Sequence, residues 1–154
     1  MMDIQEKILK TYEIGLVHCV HTTEPFSFVM DHKLSLLQFD LSKISPINFP
    51  SCFFDGLFPE DNLYDDKTLD KITLNLKKLR SSGKVQRHIL IFHNLNKWRS
   101  TAVGVKMIAG LRTVLDINKE SLFSVITYST YADLIAEYND ITLPLYRFGA
   151  IFQE

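Results

Sequence analysis

Residues Arg87 to Thr101 read Arg-His-Ile-Leu-Ile-Phe-His-Asn-Leu-Asn-Lys-Trp-Arg-Ser-Thr, and this stretch limits the fold more than any other. The unbroken apolar run Ile89-Leu90-Ile91-Phe92 suits a strand buried on both faces, as in parallel sheets covered by helices. It breaks off into a polar, cationic loop, and a helical pattern opens directly after it with Ser100 as N-cap. In open α/β sheets, ligand and partner sites favour the crevice beyond the carboxyl ends of the strands. The loop is therefore the first place to look for a function.

The periodicity downstream fits the same scheme. A helix over 67–80, capped by Asp65 and Asp66, carries Leu69, Ile72, Leu76 and Leu79 at spacings of three and four. After the strand over 86–92, a helix over 101–115 offers Val103, Met107, Leu111, Val114 and Leu115 as its buried stripe. A buried strand over 122–128 follows. Ser129 or Thr130 caps a short helix burying Leu134, Ile135 and Tyr138, and a last strand lies within 145–152. Strands alternating with helices are the mark of a parallel α/β sheet.

The region upstream is more varied. Ile4, Ile8, Leu9 and Tyr12 predict an amphipathic helix over 3–12, and the apolar 15–21 either extends it or forms a strand. The runs 26–30 and 34–41 read as a hairpin turning on Asp31. Across 42–66, Pro46, Pro50 and Pro59 argue against helix while Phe49, Phe53, Phe54, Leu57 and Phe58 demand burial. A packed loop with a short strand over 52–54 meets both demands, and an exposed aromatic docking face is the alternative. The expectation is one α/β domain over 1–154, with a helical extension over 1–20 and a core over 26–154. It should have a mostly parallel central sheet with flanking helices, and an N-terminal helix plus hairpin.

At 154 residues the chain can bury a core without disulfide or metal, and a hydrophobic content of 46% is that of a globular protein. No apolar run reaches the roughly 18 residues of a membrane span, and Asp3, Glu6, Lys7 and Lys10 lack the order of a signal peptide. A cytoplasmic location follows as the expectation, with Cys19 and Cys52 as reduced thiols. His18, Cys19 and His21 lie close in sequence, but His18 and His21 would face opposite ways on a strand and no further ligands follow at zinc spacing. No metal is therefore assigned. Neither glycine-rich nucleotide cradle nor a Gly-x-Ser-x-Gly elbow occurs, so no cofactor or catalytic residue is assigned either. His93 is the one acid–base candidate in the favoured crevice. A triad with Ser100 or Thr101 and Asp133 or Asp140 needs scattered parts.

Net charge is −1, yet it is unevenly spread. Between Asp55 and Asp70 stand six acids against Lys67; between Lys71 and Arg112 stand ten bases and no acid. Such a run implies a positive surface unless the acidic segment covers it, within one chain or across a homodimer. Asn94, Lys97, Trp98, Arg99, Ser100 and Thr101 form the candidate partner- or anion-binding site. There a helix N-terminus offers backbone N–H groups, Lys97 and Arg99 add charge, and Trp98 either stacks on a base or covers the core edge. The leading reading is a non-enzymatic regulatory or scaffold module that binds another protein through this loop. Phosphate or nucleic-acid binding by the 71–112 stretch is the alternative.

With these elements placed, residues 85–152 resemble the later part of a STAS domain, the sulfate-transporter and anti-sigma-antagonist family. There a buried strand, a loop ending at a helix N-terminus, a strand, a short helix and a last strand follow in order. His88 to Gly104 falls on that pattern, with Ser100 and Thr101 beside the regulatory serine region and Ala102 in the phospho-acceptor slot. The resemblance implies a switchable protein-binding domain. The same stretch is similar to the second half of an AAA+ nucleotide hydrolase core. In that resemblance Ile89–Trp98 replaces the acidic metal-binding strand, Phe123–Thr130 the sensor strand, and Arg147-Phe148 the arginine-finger region. His93 and Asn94 then stand where acids are needed and the phosphate loop is missing, which implies a catalytically dead relative.

Overall fold

The structure is a computed structural model, and it describes residues 4–10, 16–20, 34–60, 66–84 and 87–152. Strands β1 (Leu16–Val20), β2 (Leu34–Asp40), β3 (Arg87–His93), β4 (Leu122–Tyr128) and β5 (Ala150–Phe152) form one sheet. Their order is β2-β3-β4-β1-β5, and every pairing is parallel. Parallel pairing needs a crossover between strands, which is what the alternating sequence pattern supplies.

Among the described residues five α-helices accompany these strands: α1 (Ile4–Lys10), α2 (Phe49–Leu57), α3 (Leu69–Ser81), α4 (Ala102–Ile117) and α5 (Tyr131–Asn139). Residues alternate across the sheet, so Leu16, Phe39, Leu90, Phe92, Leu122, Ile126 and Tyr128 share one face, packed with residues of α2, α3, α4 and α5. Val17, Cys19, Ile89, Ile91, Phe123 and Val125 share the other, with Ile8 of α1 against them. Both sides of β3 and β4 are thus shielded, as their unbroken apolar runs require.

Three expectations are corrected. The first concerns the helical extension over 1–20: of the two readings of 15–21 the strand holds, Leu16–Val20 being paired on both edges, so the second half of that extension is an interior part of the sheet. Its β-branched valines suit that position. The second concerns 42–66, where Phe49–Leu57 is a helix and not a loop with a strand. Phe49, Phe53, Phe54 and Leu57 recur at helical spacing and are buried, and Pro50 sits in the first turn, where no N–H is needed. These aromatic side chains form core packing and not a docking face: Phe49 and Phe53 are stacked at 5.2 Å, and Phe39 and Phe92 at 5.7 Å.

The third correction concerns helix ends and faces. Thr68 caps α3, its hydroxyl accepting from Lys71 N, where Asp65 and Asp66 were expected to do so. On α4 the buried face holds Gly104, Ile108, Leu111, Val114 and Leu115, and Val103 is 52% exposed. The expected stripe is displaced because Gly104, on the buried face, has no apolar side chain to mark it. Thr130 caps α5 as expected, and the last strand is confined to Ala150–Phe152. Gly149, at φ +95, admits β5 beside β1, since a Cβ there would lie 2.5 Å from Leu16 O. The first half of the predicted hairpin, with its turn at Asp31, lies outside the described residues.

Candidate functional site

Because the strands are parallel, one edge of the sheet gathers all their carboxyl ends. β3 ends at His93, and Asn94 after it adopts the left-handed conformation at φ 62 and directs the chain into a 3-10 helix, Leu95–Ser100. Thr101 then takes extended geometry, and its Oγ1 accepts from Gly104 N at 3.0 Å to cap α4. Ser100 is not the cap, since its hydroxyl donates back to Lys97 O. The space before the first turn is filled by the chain itself: a Cβ on Gly104 would lie 1.9 Å from Trp98 O.

The six candidate residues are thus brought to one edge but put to different uses. Trp98 is only 3% exposed; its indole packs edge-on to Phe49 and its Nε1 donates to Ile44 O. It covers the core and has no face free to stack on a base. Arg99 is largely buried, with Nε 3.1 Å from Oε2 of Glu137 in α5. Asn94 donates from Nδ2 to Asp40 Oδ1 at 2.8 Å. Lys97, Ser100 and Thr101 face solvent.

Beside them a band of polar side chains joins the strands. His93 Nε2 donates to Gln38 Oε1 at 2.8 Å, and His93 Nδ1 accepts from the Thr127 hydroxyl at 2.9 Å, bridging β2, β3 and β4. Asp40 Oδ1 also accepts from the hydroxyl and backbone N–H of Ser42. Ser42 first, then Asn94, hold its carboxyl below the ordinary range. His93 therefore serves cross-strand bonding on both ring nitrogens.

A second polar group, unread in the sequence, lies between the sheet and α5. His18 is fully buried; Nε2 donates to Phe148 O, and Nδ1 accepts from the Tyr128 hydroxyl at 2.9 Å. Burial lowers its pKa to about 4, against the opposing Phe148 bond. Tyr138 meets the imidazole edge-on. Burial pushes the Tyr128 hydroxyl up, and the Glu137 carboxylate adds to the shift. Glu137 itself is fully buried and its carboxyl is raised by that burial, with Arg99 opposing. The helical spacing from Leu134 to Glu137 and Tyr138 was the available signal, but a glutamate among apolar neighbours reads as solvent-facing. Cys19 points to the opposite face from His18, and His21 lies outside the described residues. Among the described residues no cluster of His, Cys, Asp or Glu is placed to hold a metal.

The run of ten cations does not make one continuous surface. Lys77, Lys78, Arg80, Lys84 and Arg87 lie where α3 ends and β3 begins, at the amino edge, whereas Lys97 and Arg99 lie at the carboxyl edge. Arg112 is spent on the chain before β5: it donates to Pro144 O and stacks on Phe148 at 4.5 Å. Of the acidic segment, Asp55 pairs with Lys67 at 2.6 Å. The carboxyl edge also exposes apolar groups: Ile47, at 76%, precedes α2, and Val103 and Tyr131, at 52% and 45%, lie in the first turns of α4 and α5.

No family model and no curated protein matches this chain. The STAS resemblance thus has no support from either search. Among solved structures it is similar to the Walker-type ATPase PABY2304 of Pyrococcus abyssi, at 13% identity and a TM-score of 0.49. The match covers 96% of this chain and 50% of that one, so this chain spans about half the length of the protein it matches. Among the described residues no helix is long and apolar enough to cross a membrane.

Proposed function

We propose that this α/β module carries out no hydrolysis and acts by binding another protein at the carboxyl edge of its sheet, around Lys97, Val103 and Tyr131. One contrast supports this reading. The polar side chains at the strand ends are taken up in joining strands, His93 with Gln38 and Thr127, Asn94 with Asp40. The apolar side chains of the adjoining crossovers, Ile47, Val103 and Tyr131, face solvent instead. Exposed apolar groups beside Lys97 and Lys43 suit a protein partner carrying acidic residues. Nucleic acid would need cations spread along many phosphates, and here they divide between two edges. His93 and Asn94, standing where a nucleotide hydrolase needs acids, fit a non-catalytic relative of that class.

The test is capture of partners from host extract by the wild type and by a Lys97→Glu/Val103→Ser variant with the same melting temperature. A partner captured by the wild type and lost by the variant is the expected result; equal capture would overturn the surface. Arg99 is left out of the variant because its charge is structural. Phosphate release from ATP should stay at the buffer rate. Hydrolysis that disappears in His93→Ala would overturn the non-enzymatic half of the reading.

A further inference from the structure

The turn after β3 is held from two sides. On one, Trp98 is seated against Phe49 and bonded to Ile44 O. On the other, Arg99 reaches Glu137 of α5, where the arrangement is less settled. Arg99 Nε lies 3.1 Å from Oε2, and Oε1 has no hydrogen-bond partner although the side chain is fully buried. The groups facing this carboxylate are few. From β4 comes Tyr128, whose hydroxyl is committed to His18 of β1; from the end of α5 comes the negative charge of Asp140. Arg99 is the cation facing it, against a neighbouring carboxylate and a poorly solvated site.

We propose that Arg99 and Glu137 form a proton-operated latch: the ionised pair fixes the Leu95–Ser100 turn against α5, and proton uptake by Glu137 releases Arg99 and loosens that turn. A buried carboxylate with an unsatisfied oxygen gains by becoming neutral. The side chain of Arg99 is 18% exposed, so the freed guanidinium has water within reach. Burial raises the Glu137 carboxyl, and Asp140 adds to the effect. Because the same turn carries Lys97, opening the latch changes how the carboxyl edge is presented. That consequence rests on the protein-binding reading above, whereas the latch does not.

Trp98 is the only tryptophan of the chain and the neighbour of Arg99, so its emission reports on this turn. The full chain is titrated from about pH 8 down to about pH 4, so that a carboxyl raised above the ordinary carboxylate range passes through its transition. The expected result is a one-proton change in emission that is absent from Glu137→Gln, whose emission matches the low-pH wild type throughout. The same change in Glu137→Gln, or none in the wild type, would overturn the latch. If Glu137→Gln does not fold, nuclear magnetic resonance of the wild type decides. The Arg99 Nε and Glu137 carboxyl signals must then move with one midpoint, and separate midpoints would overturn the proposal. An emission change together with partner capture indifferent to pH would uphold the latch and count against the binding surface.

Discussion

Trp98 Nε1 donates to the carbonyl oxygen of Ile44 at 3.1 Å, tying the turn after β3 to the loop after β2. The indole packs on Phe49 of the aromatic layer formed by Phe39, Phe49, Phe53 and Phe92, so it closes the core at the carboxyl edge. Trp98→Ala should cost about 3–5 kcal/mol of unfolding free energy, the usual range for removing a buried aromatic side chain. Trp98→Phe should cost ~1–2 kcal/mol, mainly for the orphaned carbonyl. Urea unfolding followed by circular dichroism separates the two.

Neighbouring cations of the same turn should behave oppositely. Breaking a buried ion pair from one side costs about 3–5 kcal/mol. The partial exposure of Arg99, and the freedom of Glu137 to take a proton, reduce Arg99→Ala to ~2–3 kcal/mol. Lys97→Ala should stay within about 0.5 kcal/mol of wild type, as a solvated surface change. Thermal or urea unfolding of the two variants measures the difference, and equal losses would show that Arg99 is not bound into the fold.

His18 makes stability depend on pH. Its pKa falls from 6.5 in the unfolded chain to about 4 in the fold, so between those values the unfolded state holds more protons. Its contribution is therefore complete above the unfolded value and is lost as pH falls through the folded one, an effect of about 3 kcal/mol. Glu137 works in the other direction: its raised carboxyl favours the fold at acid pH, and that advantage is lost as pH rises through the folded value. Comparing wild type with His18→Gln isolates the histidine. The stability gap should narrow on going from about pH 7 to about pH 4.5, and a constant gap would refute the assignment.

Two glycines of α4 should separate cleanly on substitution by alanine. A Cβ on Gly104 would strike Trp98 O at 1.9 Å, which is backbone, so Gly104→Ala must displace the turn or the helix start. Gly110 would meet only Leu69 Cδ1 at 3.0 Å, the end of a flexible side chain. Gly110→Ala should thus be near neutral or stabilising by up to ~1 kcal/mol from helix propensity. Gly104→Ala should lower the melting temperature by several degrees, a loss on the order of 2 kcal/mol. Calorimetry of both variants tests the contrast.

The legible parts of the fold are those where local signals agree. Ile89 to Phe92 and Leu122 to Tyr128 are apolar without interruption and could only be interior strands, and Thr130 with Leu134 marked α5 within a residue. α2 is hidden in the sequence because three prolines in 42–66 count against a helix by number, whereas position decides: Pro50 falls in the first turn, where it does no harm. Of the candidate site, its place at the carboxyl edge was readable from strand followed by helix. For Trp98 the sequence left two readings open, of which covering the core edge holds, and for Arg99 it gave no sign of burial. Each is decided by a partner far along the chain, Ile44 for one and Glu137 for the other, and no local pattern carries such information. The split of the basic run between two edges was hidden for the same reason, since linear charge density ignores the reversal of direction at Ser82-Gly83.

The seat of β1 between β4 and β5 bears on how this protein is made. On the ribosome Leu16–Val20 emerges well before either segment whose ladder it joins, Leu16 against Ser124 and Val17 against Ala150. This apolar segment must wait with bare amides until those distant neighbours are made, which favours slow, non-local assembly and exposes the nascent chain to aggregation.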